Sequence, residues 1–321
     1  GHRLADRLAS DGVLVLDDDA PPGVIAATLA TLAVRQSSVD HLRRELSIAR
    51  RFQGGLSGQM DKLHEELQLA AIVQKELLPK SIPSVPGFDM HVFFRSAGYV
   101  SGDIYDVQRL DEHRLGFFVA DAVGHGVPAA LMTMIIARGM HMTQIRQGEV
   151  ETLSPAEVLC ELNRDLSRQE GNAPRFATAV CGILDGRDRT VRLAGAGHPH
   201  PLVLRADGTH RPVETTGGLL GIFAEDSFEE VTVQLEEDEL LVVYSDGFET
   251  AFPEDGVGGY ERRLPTRNYI RCFDQSAAHW RNDGLTAAAM HLAEQVNEQS
   301  GSLHQIDDLT AMLIAPNSTG S

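Results

Sequence analysis

Residues 117–132 have the sequence FFVADAVGHGVPAALM, which contains the clearest structural signal in the chain. Four apolar residues, typical of a buried strand, run directly into Asp121, and a glycine-rich turn then leads into a helix expected over 127–144. The same order recurs at 241–247, where an apolar run is followed by Asp246 and Gly247. A single Asp-Gly pair is typical of an ordinary turn. Aspartates that repeatedly follow predicted strands instead indicate a site built from carboxylates.

Further aspartates stand where strands begin. Asp103 opens a predicted strand over 104–110, and Asp307 and Asp308 open another over 310–314. If these strands are neighbours, the carboxylates converge at one end of a sheet. Buried carboxylates repel one another and lose solvation, so they take up protons or bind a cation. With oxygen ligands and no suitable set of Cys and His, the expected ion is Mg²⁺ or Mn²⁺ rather than zinc.

The chain around these aspartates predicts a mixed domain. A helix expected over 155–168 begins with Ser154 as its cap and has Glu157 at the capping-box position, and a further helix is expected over 285–298. Two layers of mostly antiparallel strands with helices outside account for this pattern. The remaining predicted strands cover 90–95, 115–120, 178–184, 191–194, 202–205, 229–235 and 240–244.

An apolar heptad precedes this domain and predicts a left-handed coiled coil that pairs two chains in parallel. The alternative is one amphipathic helix lying on its own domain. Gly54, Gly55 and Gly58 interrupt the repeat, which favours a hinge between two helical segments. The prolines from Pro79 onward end the helix. The heptad positions are Val39, Leu42, Leu46, Ala49, Gln53, Leu56, Met60, Leu63, Leu67, Ala70, Gln74 and Leu77.

Four segments are therefore expected. Residues 1–36 contain a predicted strand at 13–16 and an apolar helix, an order that resembles the end of a receiver-like sensory domain; a helix and strand ordered only by packing is the alternative. Residues 37–80 form the coiled-coil helix, 81–316 the catalytic domain and 317–321 a flexible tail. Because the chain begins with glycine and no leader sequence follows, it is expected to be a fragment of a longer protein.

Composition limits the function further. The chain of 321 residues is 42% hydrophobic and 23% charged, which is too apolar for a disordered protein. Its net charge of −18 argues against binding nucleic acid or anionic lipid. No apolar run is long enough to span a membrane. Three widely spaced cysteines without a CxxC pair fit a reducing, cytoplasmic compartment.

Five motifs in this order resemble those of the SpoIIE/RsbU branch of the metal-dependent PPM Ser/Thr protein phosphatases. The resemblance covers about residues 66–315, including the approach helix that ends in Leu77-Leu78-Pro79. The motifs are Gly102-Asp103-Ile-Tyr-Asp106, Val119-Ala-Asp121-Ala-Val-Gly124-His125-Gly126-Val-Pro128-Ala-Ala-Leu-Met132, Ala196-Gly197-His198-Pro-His-Pro201, Tyr244-Ser-Asp246-Gly247 and Asp307-Asp308-Leu-Thr310.

The resemblance implies an αββα sandwich with two Mn²⁺ or Mg²⁺ ions between the sheets. It makes Asp121 and Asp246 the catalytic residues, with Asp121 bridging the ions, the carbonyl of Ala122 assisting, and Asp246 and Asp307 completing the shell of the second ion. Asp103 would serve the first ion or its waters. Supporting positions are implied for Asp308, Asp106 and His125.

Other functional residues of the family have no clear counterpart in this sequence. The segment before Asp103, residues 97–101, lacks the arginine that grips phosphate in eukaryotic relatives, so that role is unassigned. His125 lies four residues after Asp121 rather than two, so it is not assigned as a general acid. His125 and His198 are both expected to brace loops.

The leading hypothesis is a phosphoprotein phosphatase whose substrate, by resemblance, is a STAS-type anti-sigma-factor antagonist. It would act as a homodimer under an upstream sensory region. Gln74, Leu77, Leu78 and Val127 are expected to form a switch between the approach helix and the helix after Asp121. The alternatives are a catalytically inactive adaptor of the same fold, which would have lost a metal aspartate, and a metal-dependent nuclease, which the net charge disfavours.

Overall fold

The computed structural model describes residues 20–146, 148–168, 176–205, 207–252, 267–299 and 307–317, without the side chains of 32–58. The chain divides into two compact units, residues 1–65 and 66–321. The strand predicted at 13–16 and most of the predicted tail lie outside the described residues.

The first helix, α1, covers Pro22–Lys75 and has 54 residues. It contains the whole predicted heptad up to Gln74, and the apolar helix predicted from Val24 continues into it without a break. The prediction that Gly54, Gly55 and Gly58 interrupt the helix was wrong, because α1 continues through all three residues. Glycine can keep the helical hydrogen bonds, and it costs only about 1 kcal/mol per residue relative to alanine. Met60 and Leu63 of the heptad are more than half exposed in the single chain. Pairing of two such helices stays a prediction.

The second unit contains every predicted strand and helix of the catalytic domain. The strands are β1 (Phe88–Arg95), β2 (Asp103–Arg109), β3 (Arg114–Ala122), β4 (Thr143–Arg146), β5 (Glu149–Thr152), β6 (Ala177–Asp185), β7 (Thr190–Ala196), β8 (Leu202–Arg205), β9 (His210–Pro212), β10 (Glu230–Gln234), β11 (Glu239–Tyr244) and β12 (Leu309–Pro316). The helices are α2 (Val127–Gly139), α3 (Pro155–Ser167), α4 (Gly247–Ala251), α5 (Asn268–Asp283) and α6 (Leu285–Gln299).

Two five-stranded sheets pack face to face. Sheet I has the order β1-β12-β11-β8-β9 and sheet II the order β10-β7-β6-β3-β2, with antiparallel pairing within each sheet. Residues from both sheets form one apolar core between them. Helices α2 and α3 pack on the outer face of sheet II, and α4, α5 and α6 pack on that of sheet I. The predicted αββα layering is confirmed.

Strand periodicity explains this layering. In β12, Leu309, Ala311 and Leu313 face the helices of sheet I, whereas Met312 and Ile314 face the core between the sheets. Side chains alternate between the two faces of a strand, so a strand buried on both faces must be apolar at almost every position. The polar residues of these central strands are therefore confined to their ends.

One local expectation requires correction. Helix α2 ends at Gly139 rather than at 144, and the short strands β4 (Thr143–Arg146) and β5 (Glu149–Thr152) pair antiparallel after it. A Cβ at Gly139 would lie 2.7 Å from Cδ1 of Leu162 on α3, so this glycine permits close packing of the two helices. The capping box of Ser154 and Glu157 is confirmed.

Helix α5 was not predicted, although its apolar positions have helical spacing: Tyr269, Cys272, Phe273, Ser276 and Ala277 are buried. Because Ser276 and Ala277 are small and weakly apolar, the helical spacing of buried positions was not recognised in the sequence. Within the described part of the chain, none of the helices combines the length and apolar character needed to cross a bilayer.

Candidate active site

Strand alternation directs two aspartates into the space between the sheets. Val119 of β3 and Val107 of β2 face the core between the sheets, so Asp121 and Asp103, at even spacing from them, share that face. Asp103 and Asp121 are also direct partners in the antiparallel β2–β3 register. Asp103 is buried, with 2% of its surface exposed, and Asp121 is half-buried.

Sheet I contributes the other aspartates. Asp246 follows the end of β11, and Asp307 and Asp308 precede β12, its antiparallel neighbour. The backbone N–H of Ser245 donates to the carbonyl of Thr310 at 2.9 Å, and the N–H of Thr310 donates to Oγ of Ser245 at 3.0 Å. These two bonds hold the carboxylate-bearing ends of β11 and β12 together.

The two sheets are joined by a buried hydrogen bond. Oγ1 of Thr310 donates to Oδ2 of Asp103 at 2.6 Å. Sequence reasoning placed Thr310 in a motif but gave it no role. Its even spacing from Met312, which faces the core between the sheets, was the signal that could have identified it.

Asp308 fixes the loop that precedes Asp103. Its two carboxylate oxygens accept hydrogen bonds from the backbone N–H groups of Ala97 and Gly102, each at 2.6 Å. Gly102 in turn accepts a bond from the N–H of Ala122 through its carbonyl. A Cβ at Gly102 would lie 3.2 Å from the carbonyl oxygen of Ala122 and 3.4 Å from Oδ1 of Asp121. Glycine therefore keeps the space beside these two oxygens open.

The charges at this end of the molecule disfavour ionisation. Burial raises the pKa of Asp103 most, and the charges of Asp308 and Asp246 raise it further, whereas the hydroxyls of Thr310 and Ser245 lower it. Burial also raises the pKa of Asp121, with additional repulsion from Asp103 and the three aspartates of sheet I. The pKa values of Asp246 and Asp307 are raised mainly by desolvation, although Asp246 is solvent-exposed at the rim.

These residues fit a hard divalent cation. Among the described residues, neither Asp103 nor Asp121 forms an ion pair with a lysine or arginine, so their negative charge lacks a protein counter-charge. No three His, Cys, Asp or Glu side chains of the described residues are grouped closely enough to hold a metal ion by themselves. Mg²⁺ commonly binds through one or two carboxylates and keeps several waters, so a complete protein cage is not required. The open space beside the Ala122 carbonyl suits the same chemistry.

The remaining predicted site residues lie apart or at the edge. Asp106 is directed elsewhere, because its carboxylate accepts hydrogen bonds from the N–H of Val107 and from Nε2 of Gln108. His125 is exposed and near enough to Asp307 to offset a small part of the rise in the pKa of that carboxyl. His198 is buried, and its Nδ1 lies 2.7 Å from Oγ1 of Thr178, which braces the loop after β7 against β6.

A cavity of about 560 Å³ opens beside Asp246. Sequence reasoning did not find it, because its walls come from five separate parts of the chain. Residues from its walls include Thr178, His198, Tyr244, Glu249, Arg267 and Tyr269.

The last turn of α1 contacts the site through Gln74. Its buried amide Nε2 donates to the carbonyl of Ser101 at 2.6 Å and to Oγ1 of Thr133 in α2 at 2.9 Å, and its Oε1 accepts from the N–H of Ser101 at 2.9 Å. Leu77 and Leu78 pack against the core beneath α2. Val127, the first residue of α2, is 41% exposed. Of the four residues predicted to form a switch, Gln74, Leu77 and Leu78 therefore lie in one cluster, whereas Val127 does not.

Comparison with known proteins was consistent with this geometry. The model of the family described as Stage II sporulation protein E (SpoIIE) matches residues 111–316, more than half of the chain. Phosphoserine phosphatase RsbP of Bacillus subtilis (strain 168) is 31% identical over 185 residues, which are 57% of this chain and 44% of RsbP. Phosphoserine phosphatase RsbU of the same organism is 29% identical over 203 residues, 63% of this chain and 58% of RsbU.

The chain spans about half the length of these two relatives. Among solved structures, the SiaA-PP2C domain of Pseudomonas aeruginosa superposes with a TM-score of 0.65 at 20% identity, covering 80% of this chain and 98% of that domain. At this identity the superposition establishes a shared fold.

Proposed function

Since the chain belongs to the SpoIIE family of PPM-type phosphatases, we propose that it hydrolyses phosphoserine or phosphothreonine in a protein substrate. The observation that carries the proposal is the convergence of Asp103 and Asp121 from sheet II with three aspartates from sheet I. Burial and mutual repulsion raise the pKa values of Asp103 and Asp121, an arrangement typical of functional sites rather than of stabilising ones. The named relatives RsbP and RsbU, both phosphoserine phosphatases, support the same reaction.

Two Mn²⁺ or Mg²⁺ ions would be held by Asp103, Asp121, the carbonyl of Ala122, Asp246 and Asp307. When bound, such ions lower the pKa of a water molecule and stabilise the charge that develops on a transferring phosphoryl group. The chain's own contribution is to hold the ligands in place. Thr310 orients Asp103, and Asp308 fixes the backbone on which Asp103 stands.

We assign the catalytic role to Asp121 and Asp246. Asp121 experiences the charge of Asp103 from its own sheet and of all three aspartates of sheet I, which supports it as the residue that would contribute to holding both ions. Asp246 stands where the carboxylate cluster meets the open cavity, the route by which a phosphoprotein would approach.

A STAS-type anti-sigma-factor antagonist is the proposed substrate, on the strength of the family resemblance. The protein would act in the cytoplasm, where its three free cysteines remain reduced. The net charge of −18 supports a protein partner rather than nucleic acid or a membrane surface.

Regulation would enter through α1. The heptad would pair two chains in parallel, and an upstream sensory segment would rotate or shift the helix. Gln74 bonds both to the loop before Asp103 and to α2 after Asp121, so movement of the last turn of α1 would reach both sides of the metal site.

The proposal is tested by following phosphate release from p-nitrophenyl phosphate and from a phosphoserine protein in Mn²⁺, with single-stranded DNA as a control substrate. We expect metal-dependent hydrolysis of both phosphoesters. Binding of phosphoprotein without turnover would support the inactive adaptor, and faster cleavage of DNA would support a nuclease. Either result would overturn the phosphatase assignment.

A further inference from the structure

Asp121 lies between Asp103 and Thr178 in sheet II. Asp103 of β2 is its register partner on one side, and Thr178 of β6 is its partner on the other. Residues directly opposite one another in an antiparallel pair share a face of the sheet, with Cβ atoms about 4.5–5.5 Å apart. Val180, at even spacing from Thr178, faces the core between the sheets. Thr178 therefore stands beside Asp121 on the inner face, and it also lines the cavity that opens beside Asp246.

His198 connects Thr178 to sheet I. Nδ1 of its ring lies 2.7 Å from Oγ1 of Thr178. The backbone carbonyl of Tyr244, the last residue of β11, acts on the ring as a hydrogen-bond acceptor and opposes the fall in its pKa. Because Nδ1 faces Thr178, the nitrogen directed at this carbonyl is Nε2. The contact is looser than a regular hydrogen bond, since Nε2 is buried without a partner of regular geometry among the described residues.

The surroundings of His198 determine which ring nitrogen carries its proton. The side chain is 6% exposed, and burial lowers its pKa to about 3, so the ring is neutral. A neutral imidazole has one N–H donor and one acceptor nitrogen. The Tyr244 carbonyl can only accept, so it favours the proton on Nε2 and leaves Nδ1 as an acceptor. Thr178 must then donate its hydroxyl proton to Nδ1.

This direction of donation determines what Thr178 offers to the cavity. A threonine hydroxyl has one proton and two lone pairs. With its proton directed at His198, the hydroxyl presents only lone pairs to its other neighbours. The ionised carboxylate of Asp121 is also an acceptor only. A group that lies against both residues must therefore be a hydrogen-bond donor, and water is the smallest such group.

From this geometry we propose that His198 is a positioning residue, which fixes the hydroxyl of Thr178 as an acceptor beside Asp121, and that this acceptor orients a water molecule held at the metal site. The inference rests on the proposed phosphatase function and adds two residues to it. An acceptor for one O–H bond fixes how the water is turned, and orientation of the reactants is a large part of catalysis. Together with the bond from Thr310 to Asp103, the contact ties each neighbour of Asp121 to a different strand of sheet I.

The tautomer of His198 can be tested without metal or turnover. NMR of the protein with ¹⁵N-labelled histidine, recorded in chelator, identifies the protonated ring nitrogen, and the signals of His198 are those absent from His198→Asn. We expect the proton on Nε2. Thr178→Val should shift the Nδ1 resonance, and Thr178→Ser should return it toward the wild-type position. A proton on Nδ1, or an Nδ1 resonance that Thr178→Val leaves unmoved, would overturn the proposal.

The action on water is tested by Mn²⁺ binding and by rate, at a temperature at which circular dichroism shows each variant to be folded. Loss of one hydrogen bond corresponds to about 2- to 10-fold. Thr178→Val should weaken Mn²⁺ binding by about this factor, as measured by electron paramagnetic resonance without substrate. It should lower kcat for p-nitrophenyl phosphate by a similar factor while KM stays unchanged, because Thr178 would contact the water rather than the substrate. Thr178→Ser should restore both values, and failure to do so would contradict the role given to the hydroxyl.

Variants of His198 test whether it acts through Thr178. His198→Asn offers a carboxamide oxygen in the place of Nδ1 and should retain more activity than His198→Leu, which has no acceptor. In the Thr178→Val background, exchange of His198→Leu for the wild-type residue should change kcat by less than twofold, because coupled residues are not additive. Full additivity of the two substitutions would show that His198 acts independently of Thr178 and would overturn the proposal.

Thr215 provides the matched control. Its Oγ1 lies 3.4 Å from Nδ1 of His200, so it forms a second threonine–histidine contact. Thr215 lies outside the strands and is not among the described residues that line the cavity. Thr215→Val should leave kcat and Mn²⁺ binding unchanged. Equal losses in Thr215→Val and Thr178→Val would overturn the proposal.

The Mn²⁺ measurement separates this proposal from the phosphatase assignment. If Mn²⁺ binding depends on the hydroxyl of Thr178 but the wild type hydrolyses no phosphoester, the phosphatase assignment fails and the role of Thr178 at the metal site stands. If the wild type hydrolyses phosphoesters and Thr178→Val changes neither rate nor Mn²⁺ binding, the role of Thr178 and His198 fails alone.

Discussion

The hydroxyl of Thr310 reaches across two sheets to Asp103, and the hydrogen bond between them measures 2.6 Å. Both residues are buried, Thr310 completely and Asp103 with 2% exposure. Desolvation of the buried carboxyl group raises the pKa of Asp103, and the hydrogen bond from the Thr310 hydroxyl is the largest of the interactions that lower it again. Together with the hydrogen bonds from Asp308 to Ala97 and Gly102, this bond joins the two layers at the end that carries the aspartates.

Thr310→Val, which keeps the side-chain volume but removes the donor, should lower the free energy of unfolding by about 1–3 kcal/mol, the cost of leaving a buried acceptor unsatisfied. Urea denaturation in chelator measures it. Thr143→Val in the exposed strand β4 is the matched control and should change stability by less than about 0.5 kcal/mol. Equal effects of the two substitutions would contradict the role given to Thr310.

Asp121→Asn should have opposite effects on stability and function. Because burial and four neighbouring aspartates raise the pKa of Asp121, the ionised form destabilises the metal-free fold, and this loss grows as the pH rises above the unfolded value of about 4. We expect the variant in chelator at neutral pH to be more stable by about 1–3 kcal/mol, equivalent to one to two pKa units.

The same variant should lose phosphate release and the stabilisation that Mn²⁺ gives the wild type, as measured by thermal unfolding with and without the ion. Asp246→Asn should also lose activity. Asp106→Asn is the control outside the cluster and should retain both properties. Full activity of Asp121→Asn in chelator would rule out the metal mechanism.

Gln74→Ala removes the three hydrogen bonds that join α1 to Ser101 and Thr133. If these bonds couple the helix to the metal site, the Mn²⁺ concentration for half-maximal activity should shift by about fivefold or more, since coupling between sites is typically 1–3 kcal/mol. Hydrogen exchange at Ser101 and Gly102 should become faster. Gln68→Ala, an exposed glutamine on the same helix, is the control.

The glycine cluster supplies a second test of the switch. Replacing Gly54, Gly55 and Gly58 by alanine should stiffen α1 and shift the same Mn²⁺ midpoint. If neither this triple substitution, nor Gln74→Ala, nor a chain beginning at Leu67 changes metal requirement or turnover, α1 has no regulatory role.

The heptad predicts a dimer with a mass near twice 34.9 kDa by light scattering. Leu42→Asp with Leu46→Asp should shift the mass toward the monomer, because two charges per chain would be buried in the seam. Leu69→Asp alters an exposed leucine outside the repeat and should leave the dimer intact. A dimer that persists in the double variant would place the interface elsewhere.

Much of this fold follows from local sequence patterns. Val119, Ala120 and Asp121 define a buried strand and its end, and the same pattern recurs before Asp246, so the two halves of the site could be predicted separately. Proline and serine at the start of α3 marked its first turn, which the structure matches. These features depend on residues close together in sequence.

The features that were missed depend on contacts between distant segments. Nothing local indicates that Thr310 bonds to Asp103 or that both oxygens of Asp308 are used by Ala97 and Gly102, because these pairs are separated by about 200 residues. The end of α2 was also misplaced, since the packing of Gly139 on Leu162 is tertiary. The sequence patterns identified the acidic residues but not the hydrogen-bond partners that position them.

The two hydrogen bonds of Asp308 restrict how this chain can vary. The two oxygens of this one carboxylate accept from the N–H groups of Ala97 and Gly102, so these two N–H groups must lie close together. This requirement constrains the length of the loop between them. Within this loop residues 98 and 99 are exposed and can be exchanged most readily, whereas Val100 and Ser101 are buried and Oγ of Ser101 accepts a hydrogen bond from the N–H of Asp103. Insertion or deletion of a single residue there would break one of the two bonds and displace Asp103. Related proteins that keep this arrangement should therefore differ in the composition of this loop while preserving its length.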